Sequence, residues 1–172
     1  MTDRNELALS RLLCEDPIGT IHGNAKSAVD YEEALDIPAL EREWGDLRRT
    51  AGIKRIDAST FPDHRNRPML VLYSAPDCLF CYVVKPTFAR LVAFLDGIDV
   101  YYSDDESLRR QQGISYTPCL VAYLPNGRRA GTFSGTTTKF LWELMNLLPD
   151  LSEHLIRDAE TAPCDGESCI VK

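Results

Sequence analysis

Residues Met69-Leu-Val-Leu-Tyr-Ser74 lead through Ala75-Pro-Asp77 into Cys78-Leu-Phe-Cys81-Tyr-Val-Val-Lys-Pro86. The first six are almost continuously apolar, the pattern of a central strand covered on both faces. From Cys81 the period changes. Cys81, Val84, Phe88, Leu91, Val92 and Leu95 share one helical face, and Gly97 ends the run. A C-x-x-C pair therefore stands where a buried strand hands over to a helix. A sulfur at the opening turn faces backbone N–H groups without partners and the positive end of the helix dipole. Both favour thiolate, so Cys78 is expected to have a depressed pKa and to be the attacking sulfur. Cys81, one turn deeper, can displace a partner held on Cys78, which completes a two-step exchange through a mixed disulfide. The same spacing also fits two cysteines that pack in a core or share a metal, but the strand-to-helix junction favours redox chemistry.

On the N-terminal side of this stretch, Ile53–Asp57 is a short strand candidate. On the other side Ile98–Tyr102 reads as a strand and Asp105–Gln112 as a short helix. Cys119–Leu124 and Arg129–Phe133 pair as a hairpin through Pro125-Asn-Gly-Arg128, where Asn126-Gly127 is expected to supply positive φ. Gly135 precedes a last helix with Phe140, Leu141, Leu144, Leu147 and Leu148 on its buried side. The expected order is β-α-β-α-β-α-β-β-α, an α/β arrangement with a mixed sheet of four to five strands flanked by helices. Residues 53–150 make up this domain, 1–52 a helical N-terminal extension, and 151–172 an acidic C-terminal tail with a second cysteine pair. Within the extension, Leu7, Leu9, Leu12 and Leu13 mark a first helix, which Pro17–Asn24 breaks. A better helix begins at Pro38, carries Leu40, Trp44 and Leu47 on one side, and stops at Gly52. Trp44 needs burial, so this helix is expected to lie against the main domain.

The chain has 172 residues and is 44% hydrophobic, enough for one ordinary domain with extensions. Its net charge is −7, and residues 52–150 are nearly neutral, with 11 basic and 10 acidic side chains. Residues 1–51 carry 6 basic against 11 acidic, and residues 151–172 carry 2 against 5. That balance argues against nucleic acid, whose affinity rests on neutralised phosphates. No apolar run approaches the ~18–20 residues of a membrane span, so no membrane is expected. Met1-Thr-Asp-Arg-Asn-Glu6 lacks the basic stretch and apolar block of a secretory leader. The expected compartment is reducing and cytoplasmic, where six cysteines point to redox or metal chemistry rather than structural staples.

With these landmarks in place, residues 53–150 resemble the thioredoxin family. Pro86 lies five residues after Cys81, at the position of the proline that kinks the family's active-site helix. Gly113-Ile-Ser-Tyr-Thr117-Pro118 is similar to the family's Gly-Ile-x-x-x-Pro segment. Asn126-Gly127 followed by Gly135 resembles its final hairpin and the glycine before its last helix. The resemblance implies the thioredoxin fold, a cis bond before Pro118, and a Thr117 backbone that pairs with an extended substrate peptide. It implies a Cys78/Cys81 thiol–disulfide oxidoreductase acting on protein disulfides or dithiols, with no bound cofactor. A thioredoxin-reductase-like protein is the implied candidate electron donor.

Several residues depart from the family. Leu72 stands where thioredoxins carry a buried aspartate that assists proton removal from the second cysteine. Ser74 and Asp77 replace tryptophans, and Leu79-Phe80 replaces Gly-Pro. Asp77 opposes thiolate at Cys78, and Phe80 adds an apolar contact at the exchange surface. These departures admit a reading from another class: a thioredoxin-fold adaptor that grips a protein through a Phe80/Pro118 face without turnover. Cys119, following Pro118, is expected to be a small packed thiol. Cys164 and Cys169 in the tail fit a candidate accessory redox pair that exchanges with Cys78 and Cys81, two exposed thiols, or half of a four-thiolate zinc site. The first of these and the second are weighed above zinc, so no metal ligand is assigned. His22, His64 and His154 stand at no metal-ligand spacing and are expected to be solvated.

Overall fold

The computed structural model describes residues 35–62, 66–93, 95 and 97–134. The first element, α1 (Ile37–Thr50), opens with Asp36, whose carboxylate accepts from the Ala39 N–H at 3.0 Å, and has proline in its first turn. It closes at Gly52 (φ 68°), where the Gly52 N–H donates to the Arg49 carbonyl and the Ile53 N–H to that of Arg48. Glycine adopts that left-handed conformation at little steric expense, and Ile53 is thereby turned into the core. A matching stop at Gly113 (φ 61°) turns Ile114 inward after the short helix α3 (Glu106–Gln111).

Five strands form one sheet: β1 (Lys54–Arg55), β2 (Met69–Tyr73), β3 (Asp99–Ser103), β4 (Cys119–Tyr123) and β5 (Arg129–Ser134). Their spatial order is β1-β3-β2-β4-β5, with β1, β3 and β2 parallel to one another and β4 antiparallel to both β2 and β5. Every residue of β2 is fully buried. Leu70 and Leu72 face one layer with Trp44, Val84 and Phe88 of α1 and α2 (Leu79–Val92). Met69, Val71 and Tyr73 face the other with Leu108, Val121 and Phe61, as the two-residue period of a strand requires.

The structure corrects two expectations. No helix lies between β1 and β2 among the described residues. Instead the Asp57 carboxylate accepts from the N–H groups of Ser59 and Thr60 and from both their hydroxyls, folding the chain into a turn. Asp57 caps this single turn, in which the Phe61 N–H donates to the Asp57 carbonyl, and Pro62 has no N–H to extend it. The helix on the Trp44 side precedes β1. Second, the β4–β5 turn places only Gly127 at positive φ (82°), and no other residue type takes that conformation among the described residues. Pro125 sets a negative φ at the first turn position. The Gly127 N–H then donates to the Leu124 carbonyl, and the Arg128 N–H donates to the Asn126 side chain.

Trp44 is buried edge-on against Tyr102 of β3, with ring centroids 5.4 Å apart and planes at 88°. Such pairs add to the area that each ring buries. Trp44→Ala is expected to destabilise the protein by about 3 kcal/mol, measured by urea unfolding, because truncation removes a buried indole from this cluster and leaves a cavity. The last helix of the sequence reading, with Gly135, lies outside the described residues, as do Cys14 and all three histidines.

Candidate functional site

Cys78 is the N-cap of α2, with extended backbone (φ −101°, ψ 97°), and its sulfur accepts from the Cys81 N–H at 3.2 Å. This is the interaction that a helix mouth offers an anion. In the structure the two cysteines are joined as a disulfide, S–S 2.16 Å and Cα–Cα 5.2 Å. The two sulfurs differ in access. Cys78 is half-buried, whereas Cys81 is 1% exposed and packed under the helix. Cys78 is thus the more accessible sulfur of the pair. Between them Phe80 is 40% exposed.

The loop ahead of the disulfide is held from both ends. The Ser74 N–H donates to the Ser103 carbonyl at 2.8 Å, and the Tyr82 hydroxyl donates to the Pro76 carbonyl at 2.7 Å. Tyr82 thus fixes the loop to the helix that starts at Cys78. Asp77 is exposed in this loop.

Tyr73, the last residue of β2, pairs with Cys119, the first of β4. That register brings the end of β2, just before the disulfide loop, beside Pro118. The Thr117–Pro118 bond is cis. Pro118 is buried and Thr117 half-buried, and no hydrogen bond outside the helices and strands engages the Thr117 backbone among the described residues. A five-stranded β1-β3-β2-β4-β5 sheet with a C-x-x-C at the mouth of α2 and a cis-proline at the start of β4 decides the architecture.

The chain has the thioredoxin fold. Among solved structures it is similar to a designed protein at TM-score 0.50 and 19% identity, over 58% of this chain and 97% of that one. It is also similar to a thioredoxin pre-protein of Schistosoma mansoni, at TM-score 0.48 and 23% identity, over 58% and 97% of the two chains. Similarity to the Malassezia sympodialis thioredoxin is at TM-score 0.48 and 18% identity, over 59% and 92%. No family model matches the sequence, and no curated protein matches it.

Within the thioredoxin fold the other site residues of the sequence reading fall as follows. Leu72 is fully buried, in register with Tyr102 on one side and Leu120 on the other. Cys119 is a free, buried thiol facing Tyr73 and Tyr123, and burial pushes its pKa up to about 11. That raised value keeps Cys119 protonated at neutral pH. In the reduced native protein Cys119 is expected to react with iodoacetamide at least tenfold more slowly than Cys78 at pH 8, and to label readily in urea; peptide mass spectrometry checks both. Cys164 and Cys169 lie outside the described residues. No three His, Cys, Asp or Glu side chains are grouped to hold a metal ion among the described residues. No described helix is long and apolar enough to cross a membrane.

Two neighbours of the site went unmarked in the sequence. Tyr116, two residues before the cis-proline, is 78% exposed; it and Phe80 are the exposed large hydrophobics of the described residues. Its signal was an aromatic residue between the polar Ser115 and Thr117 of the loop. Lys85, one turn beyond Cys81, is half-buried, and burial pulls its ammonium pKa below the usual range. A charge in the otherwise uncharged stretch Val83–Ala89 was the signal there.

Proposed function

We propose that the protein is a thiol–disulfide oxidoreductase for protein substrates, with Cys78 as nucleophile and Cys81 as resolving thiol. The observation that carries this reading is the disulfide at the mouth of α2, with the accessible sulfur already hydrogen-bonded to a helix N–H. In the reducing direction, the Cys78 thiolate attacks a substrate disulfide and forms a mixed disulfide, releasing one substrate thiolate. Cys81 then loses its proton to solvent or to that thiolate and attacks Cys78. The second substrate thiol leaves, and the Cys78–Cys81 disulfide remains, so two electrons have passed to the substrate.

Thr117 and Pro118 would position the substrate strand, with Phe80 and Tyr116 supplying apolar contact on either side of the exchanging sulfurs. Cys164 and Cys169 are proposed as an accessory pair for Cys78 and Cys81. A reducing, cytoplasmic compartment and an electron donor of the thioredoxin-reductase kind fit this role. Reduction of insulin by dithiothreitol tests the reading, because the protein should accelerate precipitation of the insulin B chain well above the uncatalysed rate. An unchanged rate would reject it.

One observation favours the adaptor reading. Leu72 is fully buried, and by the resemblance it stands where thioredoxins carry the aspartate that assists proton removal from the second cysteine. On that reading the Phe80/Pro118 face holds a protein without exchanging electrons, and the insulin rate equals the background while binding persists.

A further inference from the structure

A cleft of about 330 Å³ opens between α1 and α2 over the end of β3, separate from the disulfide. Its charged lining is Arg48 and Lys85 with Glu41 and Asp104, and its walls include Tyr82 and Tyr102. The two cations face rings rather than carboxylates. The Arg48 guanidinium sits 5.0 Å from the centre of the Tyr102 ring, with one N–H donated to that hydroxyl. The Lys85 ammonium sits 5.5 Å from the centre of the Tyr82 ring.

The carboxylates nearby are otherwise engaged. Asp104 accepts from the Arg55 guanidinium at 2.7 and 2.8 Å, and Glu43 pairs with Arg90 across the α1–α2 seam. Lys85 makes no ion pair among the described residues, and the exposed Glu41 stands at the rim beyond ion-pair distance. Lysine offers three donors and arginine five, and among the described residues most of those of Lys85 and Arg48 are unused. A half-buried ammonium with no described carboxylate at ion-pair distance, on which Asp104 and Glu41 act only from farther off, stands beside a guanidinium anchored from one side and leaves a gap suited to an oxyanion.

We propose that this cleft binds the carboxylate or phosphate group of a small molecule between Lys85 and Arg48. Tyr82 joins this site to the disulfide loop through Pro76, so the ligand would sit one helical turn from Cys81 without touching it.

The test is a titration of the full-length oxidised protein with inorganic phosphate and, separately, with acetate, at constant ionic strength, followed by amide NMR. Saturable shifts are expected at Arg48, Tyr82, Lys85 and Asp104 with at least one of the two anions. Phosphate alone identifies a phosphate ligand, acetate alone a carboxylate, and both the shared oxyanion chemistry. Lys85→Met should weaken binding about tenfold, because a charged donor is lost. Glu41→Gln should strengthen it about threefold by removing a like charge from the rim. No saturable shift with either anion would overturn the proposal. So would equal affinity in Lys85→Met, or weaker binding in Glu41→Gln, which would show that Glu41 organises the lysine instead. Because the readout is independent of insulin reduction, its failure leaves the oxidoreductase reading untouched.

Discussion

Cys78→Ser is expected to lower insulin turnover by about a thousandfold or more, down to the dithiothreitol background, because a serine hydroxyl is not ionised at neutral pH and forms no mixed disulfide. The substitution should leave the fold intact. Position 78 caps α2, and serine is among the preferred N-cap residues, so its hydroxyl can accept the Cys81 N–H that the sulfur accepts now. A thermal midpoint within a few degrees of the wild type would confirm that the loss is chemical. Retention of more than a tenth of the rate would remove Cys78 from the nucleophile's role.

Cys81→Ser is expected to leave the first step and stop the second. Cys81 is buried beneath the helix start, where it reaches the Cys78 sulfur and little else can. Without it, a substrate thiol attached to Cys78 has no internal attacker, and a covalent complex accumulates that dithiothreitol releases. Non-reducing electrophoresis with a disulfide substrate should show nearly all of the variant in that adduct, against a trace for the wild type. The same variant examines the tail. If Cys164 and Cys169 exchange with the active site, mass spectrometry without substrate should find Cys78 joined to one of them. A tail that never appears in such a peptide has no relay role, whatever the insulin result.

The elements were legible in the sequence wherever a short-range rule governs them. Apolar continuity marks β2, and the observed strand Met69–Tyr73 ends one residue before the expected boundary. Pro38 and Gly52 mark the ends of α1, because a missing N–H and a left-handed backbone are properties of single residues. The cysteine pair was readable for the same reason, since a separation of three positions is about one helical turn wherever the helix lies. The cis bond at Thr117–Pro118 followed from resemblance rather than from any local rule, and the structure contains it.

Other features needed neighbours distant in the chain. Where a helix was expected after β1 there is a single turn capped by Asp57, which Pro62 cannot extend because it has no N–H to donate. Asn126 and Gly127 did not share positive φ, because Pro125 had already chosen the turn. Lys85 and Arg48 are 37 positions apart in the chain and line one cleft only because α1 and α2 pack together.

From its order of residues alone, the chain specified a buried strand, a helix opening on a thiol, and a second thiol one turn behind. These depend on backbone geometry repeated every few residues. Folding in three dimensions settled which sulfur is open to solvent, where Trp44 is seated, and which charges lack partners. Burial and electrostatic pairing are properties of surfaces brought together from separate segments, and no single segment contains them.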